Sequence, residues 1–239
     1  MMNIAHRGFS AAYPENTLLS FNKALALGVT HLELDLQLTH DGQLIVLHDR
    51  SVDRTTNGSG EASDLTLAEI RELDAGIWRG EDFAGHRIPT YREVIEELDK
   101  PATLVTELKF RGNEGIRQVI DEIDARDARD RVVISSFDLD KLPVVRELAP
   151  DLPTTALLKT DNSTVSERVD QVMGLGADTI GPRCTDTTQE LVDAAHKAGL
   201  LVRAWGLGRD QGDEMRRLIK LGVDGMTTDC PDILQKILA

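Results

Sequence analysis

The chain has 239 residues, of which 41% are hydrophobic, 28% charged and only 4% aromatic. That composition suits a large globular core and excludes a low-complexity or disordered chain; no stretch approaches the ~20 apolar residues of a membrane-spanning helix. A formal net charge of −14 repels nucleic acid phosphates and anionic lipids, so neither nucleic acid binding nor stable membrane insertion is expected.

The opening Met1-Met2-Asn3-Ile4-Ala5-His6-Arg7 lacks the basic and apolar regions of a secretory signal. Two cysteines, Cys184 and Cys230, give neither a disulfide framework nor zinc-site spacing. The expectation is a reducing, cytoplasmic compartment, with the protein a monomer or homodimer.

In chain order, a strand over 3–6 precedes a helix over 16–27 and a second strand over 31–38. A short strand over 43–48 follows the turn Asp41-Gly42. The next stretch is polar and rich in turn residues, including Asn57-Gly58-Ser59-Gly60, and reads as an insertion at about residues 50–88. From residue 103 a rhythm appears. Apolar or β-branched runs at 103–109, 132–137, 154–159, 178–183, 201–206 and 225–229 start 22 to 29 residues apart. Amphipathic helical patterns fill the gaps, at 116–126, 139–148, 165–175, 189–198 and 213–221, and a last one follows at 231–238. Strand–helix–strand at this period predicts parallel βαβ units. Eight such strands in this length predict a single (β/α)8 TIM-barrel domain over 1–239, with a small insertion after strand 2. The competing doubly wound sheet lacks its glycine fingerprint after the first strand.

Residues i and i+2 of a strand share a face. Glu33 and Asp35 therefore point one way, and Leu32, Leu34 and Leu36 the other; Glu107 and Lys109 also share a face. Inward polar residues at the C-terminal ends of barrel strands mark an active site. Three carboxylates on two strands offer an all-oxygen site for one divalent cation, Mg²⁺ or Ca²⁺, with Mn²⁺ as an alternative. The competing reading is a structural network in which they pair with Arg or Lys.

Arg7, Lys109, Lys159 and Arg183 close four of the strands, which predicts a positive mouth able to draw in an anion. A forked Arg beside a point-charge Lys suits phosphate, although Lys159 and Arg183 fit an exposed rim equally well. His6 and His48 close strands beside the carboxylates, a placement that fits a general acid and a general base. His31, His40, His86 and His196 lack that placement. Trp205 fits either a pocket wall or a core position.

These residues fall into an ordered set. His6-Arg7-Gly8 with Pro14-Glu15-Asn16-Thr17, Glu33-Leu34-Asp35, Asp41-Gly42, His48-Asp49 and Arg54-Thr55-Thr56-Asn57-Gly58 come first. Leu73-Asp74-Ala75-Gly76, Ile88-Pro89-Thr90, Glu107-Leu108-Lys109, Ser136-Phe137, Trp205 and Gly222-Val223-Asp224-Gly225 through Thr228-Asp229 complete it. The whole run resembles the glycerophosphodiester phosphodiesterase family. The resemblance implies a distorted TIM barrel and a metal-dependent hydrolysis of glycerophosphodiesters such as glycerophosphocholine and glycerophosphoethanolamine. The products would be sn-glycerol 3-phosphate and an alcohol. It implies that Glu33, Asp35 and Glu107 hold the cation, that His6 and His48 are the acid–base pair, and that Arg7 and Lys109 hold the phosphate. Glu15 and Asn16 would shape the mouth, and Trp205 would line the substrate site.

One departure stands out. The family usually follows the tryptophan with Thr, an apolar residue and Asn; here the run is Trp205-Gly206-Leu207-Gly208. The missing side chains predict a roomy alcohol pocket that cleaves choline, ethanolamine and glycerol diesters at comparable rates. Attack by water and attack by the substrate's own glycerol hydroxyl both fit the sequence. So do two rival roles: a lysophospholipase D-type activity using Trp78 and Phe83 as an apolar rim, and a phosphate-binding barrel without activity.

Overall fold

A computed structural model describes residues 1–98 and 102–239. In chain order the elements are β1 (Met2–Ala5), α1 (Leu18–Ala26), β2 (His31–Leu38), β3 (Leu44–Val46), α2 (Leu67–Glu72), α3 (Tyr91–Glu97), β4 (Thr103–Leu108) and α4 (Glu114–Asp124). They continue with β5 (Val132–Ser136), α5 (Lys141–Leu148), β6 (Thr154–Leu157), α6 (Val165–Gly174), β7 (Thr179–Gly181), α7 (Gln189–Lys197), β8 (Leu201–Leu207), α8 (Gly212–Leu221), β9 (Gly225–Thr228) and α9 (Pro231–Leu238). The sheet runs β1-β9-β8-β7-β6-β5-β4-β2-β3, and β1 also pairs with β2, which closes eight parallel strands into a barrel. β3 lies antiparallel on β2 outside that ring.

Alternation along β2 explains how the barrel acquires its two surfaces. Leu32, Leu34 and Leu36 are fully buried in the outer core with Phe21 of α1 and Tyr91 of α3. Burial of this kind contributes about 1.5–3 kcal/mol per leucine, enough to fix the strand's register and turn Glu33 and Asp35 into the barrel. A second core of similar character, including Ile180, Val202, Ala204 and Met226, sits under α6 to α8.

The segment between β2 and α3 has a small core of its own, built on Ile45, Leu47, Val52, Ile70 and Ile88. The sequence reading of this stretch as turn-rich missed α2, and α3 follows it. Both carry a capping box, Thr66 with Glu69 and Thr90 with Glu93, in which each side chain satisfies the other's free backbone N–H. That Thr-x-x-Glu spacing was the available signal. Helix α1 starts two residues later than its apolar pattern suggests. Thr17 caps it by accepting from the Ser20 N–H at 3.3 Å, while Asn16 adopts φ +57° outside the helix.

Candidate active site

The site lies at the C-terminal ends of the barrel strands. Parallel register sets Asp35 of β2 beside Glu107 of β4, and Glu33 lies one step below Asp35 on the same face. The three carboxylates each place an oxygen within 4.8 Å of the others. All three are buried, at 3%, 0% and 5% exposure for Glu33, Asp35 and Glu107.

Three buried carboxylates at this spacing repel one another. Burial, together with the Asp35 charge, pushes Glu33 up to about 7. Glu107 is raised for the same two reasons, and Lys109 offsets this only in part. Asp35 moves the other way: burial would raise it, but Arg7 and Lys109 outweigh that and hold it below the usual carboxylate range. Its Oδ1 is buried without a hydrogen-bond partner, with Lys109 Nζ 3.7 Å away. An all-oxygen donor set that holds an orphaned anionic oxygen, and whose other two members lean toward protonation, fits a divalent cation. Among the described residues no other group of carboxylates, histidines and cysteines has this geometry.

The structural ion pairs are present as well. Lys109 Nζ lies 2.9 Å from Glu107 Oε1. Arg7 bonds Glu15 at 2.8 Å and approaches Asp35 at 3.3 Å through Nε. The turn that delivers Arg7 has the unusual backbone φ +54°, and its N–H donates to Glu33 at 3.0 Å. Gly8 follows because a Cβ there would sit 2.4 Å from Ser20 Oγ. Asn16 donates to Asp35 Oδ2 at 2.8 Å and so fixes that carboxylate. Glu15 places one oxygen 2.8 Å from Arg54 and shares the other between Arg54 and Arg7, at 2.9 and 2.8 Å. It orients two arginines and offers no free oxygen to a substrate.

The two histidines flank the carboxylates. His6 follows β1, and its Nδ1 bonds Asp229 at 2.6 Å just past the end of β9. Its Nε2 faces Glu33 at 3.8 Å. His48 follows β3, and its Nδ1 bonds Asp49 at 2.6 Å. Each imidazole is thus oriented through Nδ1, which leaves Nε2 for chemistry. Burial lowers both pKa values. For His6 the Glu33 charge and the Asp229 hydrogen bond win, so its pKa ends above the ordinary value. For His48 burial, with Arg7 and Lys109, wins over Asp35 and Asp49, and its pKa ends below. Sequence reasoning gave Asp229, Asp49 and Arg54 no role. Asp49 was findable beside His48, but Asp229 is 223 positions from His6.

Trp205 lies at the mouth with its ring edge-on to Phe137, centroids 4.9 Å apart, and its indole N–H donates to Gly181 O at 3.1 Å. It lines a cleft of about 700 Å³ with Lys109 and Lys159. Arg183 lines neither this cleft nor the one beside His6. Gly206 has a different cause from the expected extra room. It takes φ +85° where β8 bulges against β9, a left-handed conformation that suits glycine. A Cβ on Gly208 would face Asp229, on the His6 side. Trp78 and Phe83 are partly buried, and Trp78 lines the cleft beside His6; the exposed large hydrophobics among the described residues are Met1, Leu27, Met173, Leu201 and Leu238. Between Val202 and Ala204, which face the outer core, Arg203 turns into the barrel. Burial lowers its pKa to about 10, against the opposing pull of Glu33 and Glu107.

Residues 6–233 match the model of the Glycerophosphoryl diester phosphodiesterase family. A glycerophosphodiester phosphodiesterase from Caldanaerobacter subterraneus subsp. tengcongensis is 41% identical, across 97% of this chain and 95% of that one. Among solved structures, an Oleispira antarctica phosphodiesterase in complex with the product sn-glycerol-3-phosphate superposes with a TM-score of 0.91 at 29% identity, covering 98% of this chain and 95% of that one. The glycerophosphodiester phosphodiesterase of Agrobacterium tumefaciens gives a TM-score of 0.86 at 28% identity, covering 99% of this chain and all of that one. Barrel, buried carboxylates and paired histidines come together with these similarities, and the chain belongs to the glycerophosphoryl diester phosphodiesterase family.

Proposed function

We propose that this phosphodiesterase hydrolyses glycerophosphodiesters to sn-glycerol 3-phosphate and an alcohol, with one divalent cation held by Glu33, Asp35 and Glu107 and with His6 and His48 as acid and base. The observation that carries the reading is the pair of histidines, each held through Nδ1 at 2.6 Å by an aspartate, on either side of one carboxylate cage. The cation, Mg²⁺ or Ca²⁺ with Mn²⁺ as the alternative, supplies Lewis-acid neutralisation of the diester's charge when bound.

The chain's own residues do the rest. Lys109, beside the cage, and the remaining NH2 of Arg7 draw the phosphate toward the carboxylates and take up charge as it develops. His48, with its lowered pKa, starts neutral and accepts the proton of the attacking hydroxyl. His6, with its raised pKa, starts protonated and gives a proton to the leaving alcohol as the P–O bond breaks. Asn16, Glu15, Asp49 and Asp229 act as positioning residues. Trp205 walls the cleft beside Lys109. The whole chain forms one domain, and the segment at about 50–88 is an insertion that brings Arg54 to the mouth.

Among the described residues, no helix is long and apolar enough to cross a membrane. The free, buried thiols of Cys184 and Cys230 suit a reducing, cytoplasmic setting.

The test is release of sn-glycerol 3-phosphate from a glycerophosphodiester, with chelator and then with Mg²⁺, Ca²⁺ or Mn²⁺ restored. Activity that chelation abolishes and one of these ions rescues is expected. Full activity in chelator overturns the metal assignment, and no product under any condition overturns the reaction.

A further inference from the structure

Two clefts open beside the carboxylate cage, and their cations are in opposite states. In the cleft next to His6, Arg7 and Arg54 are bonded to Glu15, while Arg79 and Arg209 both donate to the carbonyl of Ala11. The other cleft, about 700 Å³, brings Arg50, Lys109, Arg111, Lys141 and Lys159 together against only two carboxylates, Glu107 and Asp138. Lys109 is paired with Glu107 and Lys141 with Asp138. Arg50, Arg111 and Lys159 are exposed and make no ion pair among the described residues. Three unpaired cations around one concavity are notable in a chain of net charge −14.

The aromatic lining argues in the same direction. A cationic head group such as choline binds over open aromatic faces. Here Lys109 Nζ already stands 5.5 Å from the Phe137 ring centre, and Lys141 Nζ 5.6 Å from that of Phe110. Trp205 meets Phe137 edge to face. The phenyl faces carry the protein's own ammonium groups, so a quaternary ammonium entering this cleft meets like charge instead of a cage.

From this juxtaposition we infer that the cleft formed by Arg50, Arg111, Lys159 and Trp205 receives the alcohol half of the diester and selects alcohols that carry an anion, a phosphate or a carboxylate. The inference rests on the phosphodiesterase reading above and deepens it. The glycerol half is uncharged and common to every substrate, so unpaired cations gain nothing from it. The alcohol is the half that varies. The comparable rates expected from the glycines after Trp205 are therefore replaced by an order set by charge.

The experiment measures kcat/KM for four diesters of sn-glycerol 3-phosphate under one metal condition. Their alcohols are choline, glycerol, glycerol with a terminal phosphate, and glycolate with its carboxylate. The expected order is anionic above neutral above choline, with about tenfold or more between the ends, the low end of what a charged cleft does for ligand concentration. Raising NaCl from about 0.05 to about 0.5 M should shrink that spread as the Debye length contracts. In Arg50→Glu/Arg111→Glu/Lys159→Glu the ratio of anionic to neutral diester should fall about tenfold or more. A gain in either anionic arm supports the inference, and the larger gain names the anion. Choline cleaved as well as both anionic diesters, or a ratio unmoved by the triple substitution, overturns it while leaving the reaction standing. A protein inactive on all four diesters fails at the phosphodiesterase reading instead.

Discussion

The two sides of the mouth use one motif to opposite effect. On each side an aspartate holds a histidine through Nδ1 at 2.6 Å. Among the described residues Asp229 accepts from His6 and from the Ser10 hydroxyl; against burial and Arg7, the Glu33 charge and then the Asp229 hydrogen bond raise the His6 pKa. Asp49 is paired through its other oxygen with Arg54 Nε at 2.5 Å, and burial, with Arg7 and Lys109, makes the His48 pKa fall. An orienting carboxylate need not make its histidine more basic. What decides is the rest of the surroundings: at His6 the Glu33 charge, with Asp229, outweighs burial, while at His48 burial with Arg7 and Lys109 outweighs Asp35 and Asp49.

The strongest challenge removes what both sides share. Glu33→Gln takes one carboxylate from the cage and should cost about 10³-fold or more in kcat, the size of several kcal/mol of charge stabilisation, with metal affinity read separately by calorimetry. Unchanged affinity would separate Glu33 from the cation. Next come the histidines. His6→Ala and His48→Ala should each lose about 10²–10⁴-fold. The double variant should lose less than the product of the two, because groups that act as a unit are not additive. A full product would make the two sides independent.

The pH profile sharpens the comparison itself. The proposed mechanism needs His48 neutral and His6 protonated, so kcat/KM should follow a bell with its acid limb set by His48 and its basic limb by His6. Asp229→Asn removes a group that raises His6, so the basic limb should move to lower pH. Asp49→Asn should move the acid limb less, because Arg54 already balances that charge. Equal displacement of both limbs would count against this account.

The smallest effect concerns stability. Burial would raise the Asp49 pKa, but Arg54 and His48 hold it down to about 2. Its folded value lies below the unfolded one of about 3.9, so its contribution is present above that pH and lost as pH falls through about 2. With both side chains partly exposed, the pair is worth about 1 kcal/mol or less. Urea titrations of Asp49→Asn and the parent protein should differ by that amount near neutrality and converge at the acid extreme.

Much of this molecule is legible from its residues because its regular parts repeat. The outer face of β2 is apolar at every second position, as in Leu32, Leu34 and Leu36, and from β4 onward a helix follows each strand. The carboxylates were readable because Glu33, Asp35 and Glu107 break that alternation on the inward face. What stayed hidden depends on contacts made only after closure. Nothing near His6 in the sequence points to Asp229. The left-handed backbones of Arg7 and Asn16 arise from a turn folded over the start of α1. Gly206 read as missing bulk because a bulge leaves no sequence periodicity to detect. Arg203 looked like any strand arginine until Val202 and Ala204 fixed which way it turned.

The bond between His6 and Asp229 spans 223 positions, joining the ends of the first strand and the last. During synthesis β1 emerges early and must wait for nearly the whole chain before its histidine gains a partner. On the proposed assignment a half-folded barrel carries Glu33, Asp35 and Glu107 yet lacks an oriented acid. On the proposed mechanism hydrolysis should switch on with closure of the ring, so that activity would report completed folding. Refolding followed by turnover should lag refolding followed by helix content, because the first reads a long-range pairing and the second reads local order.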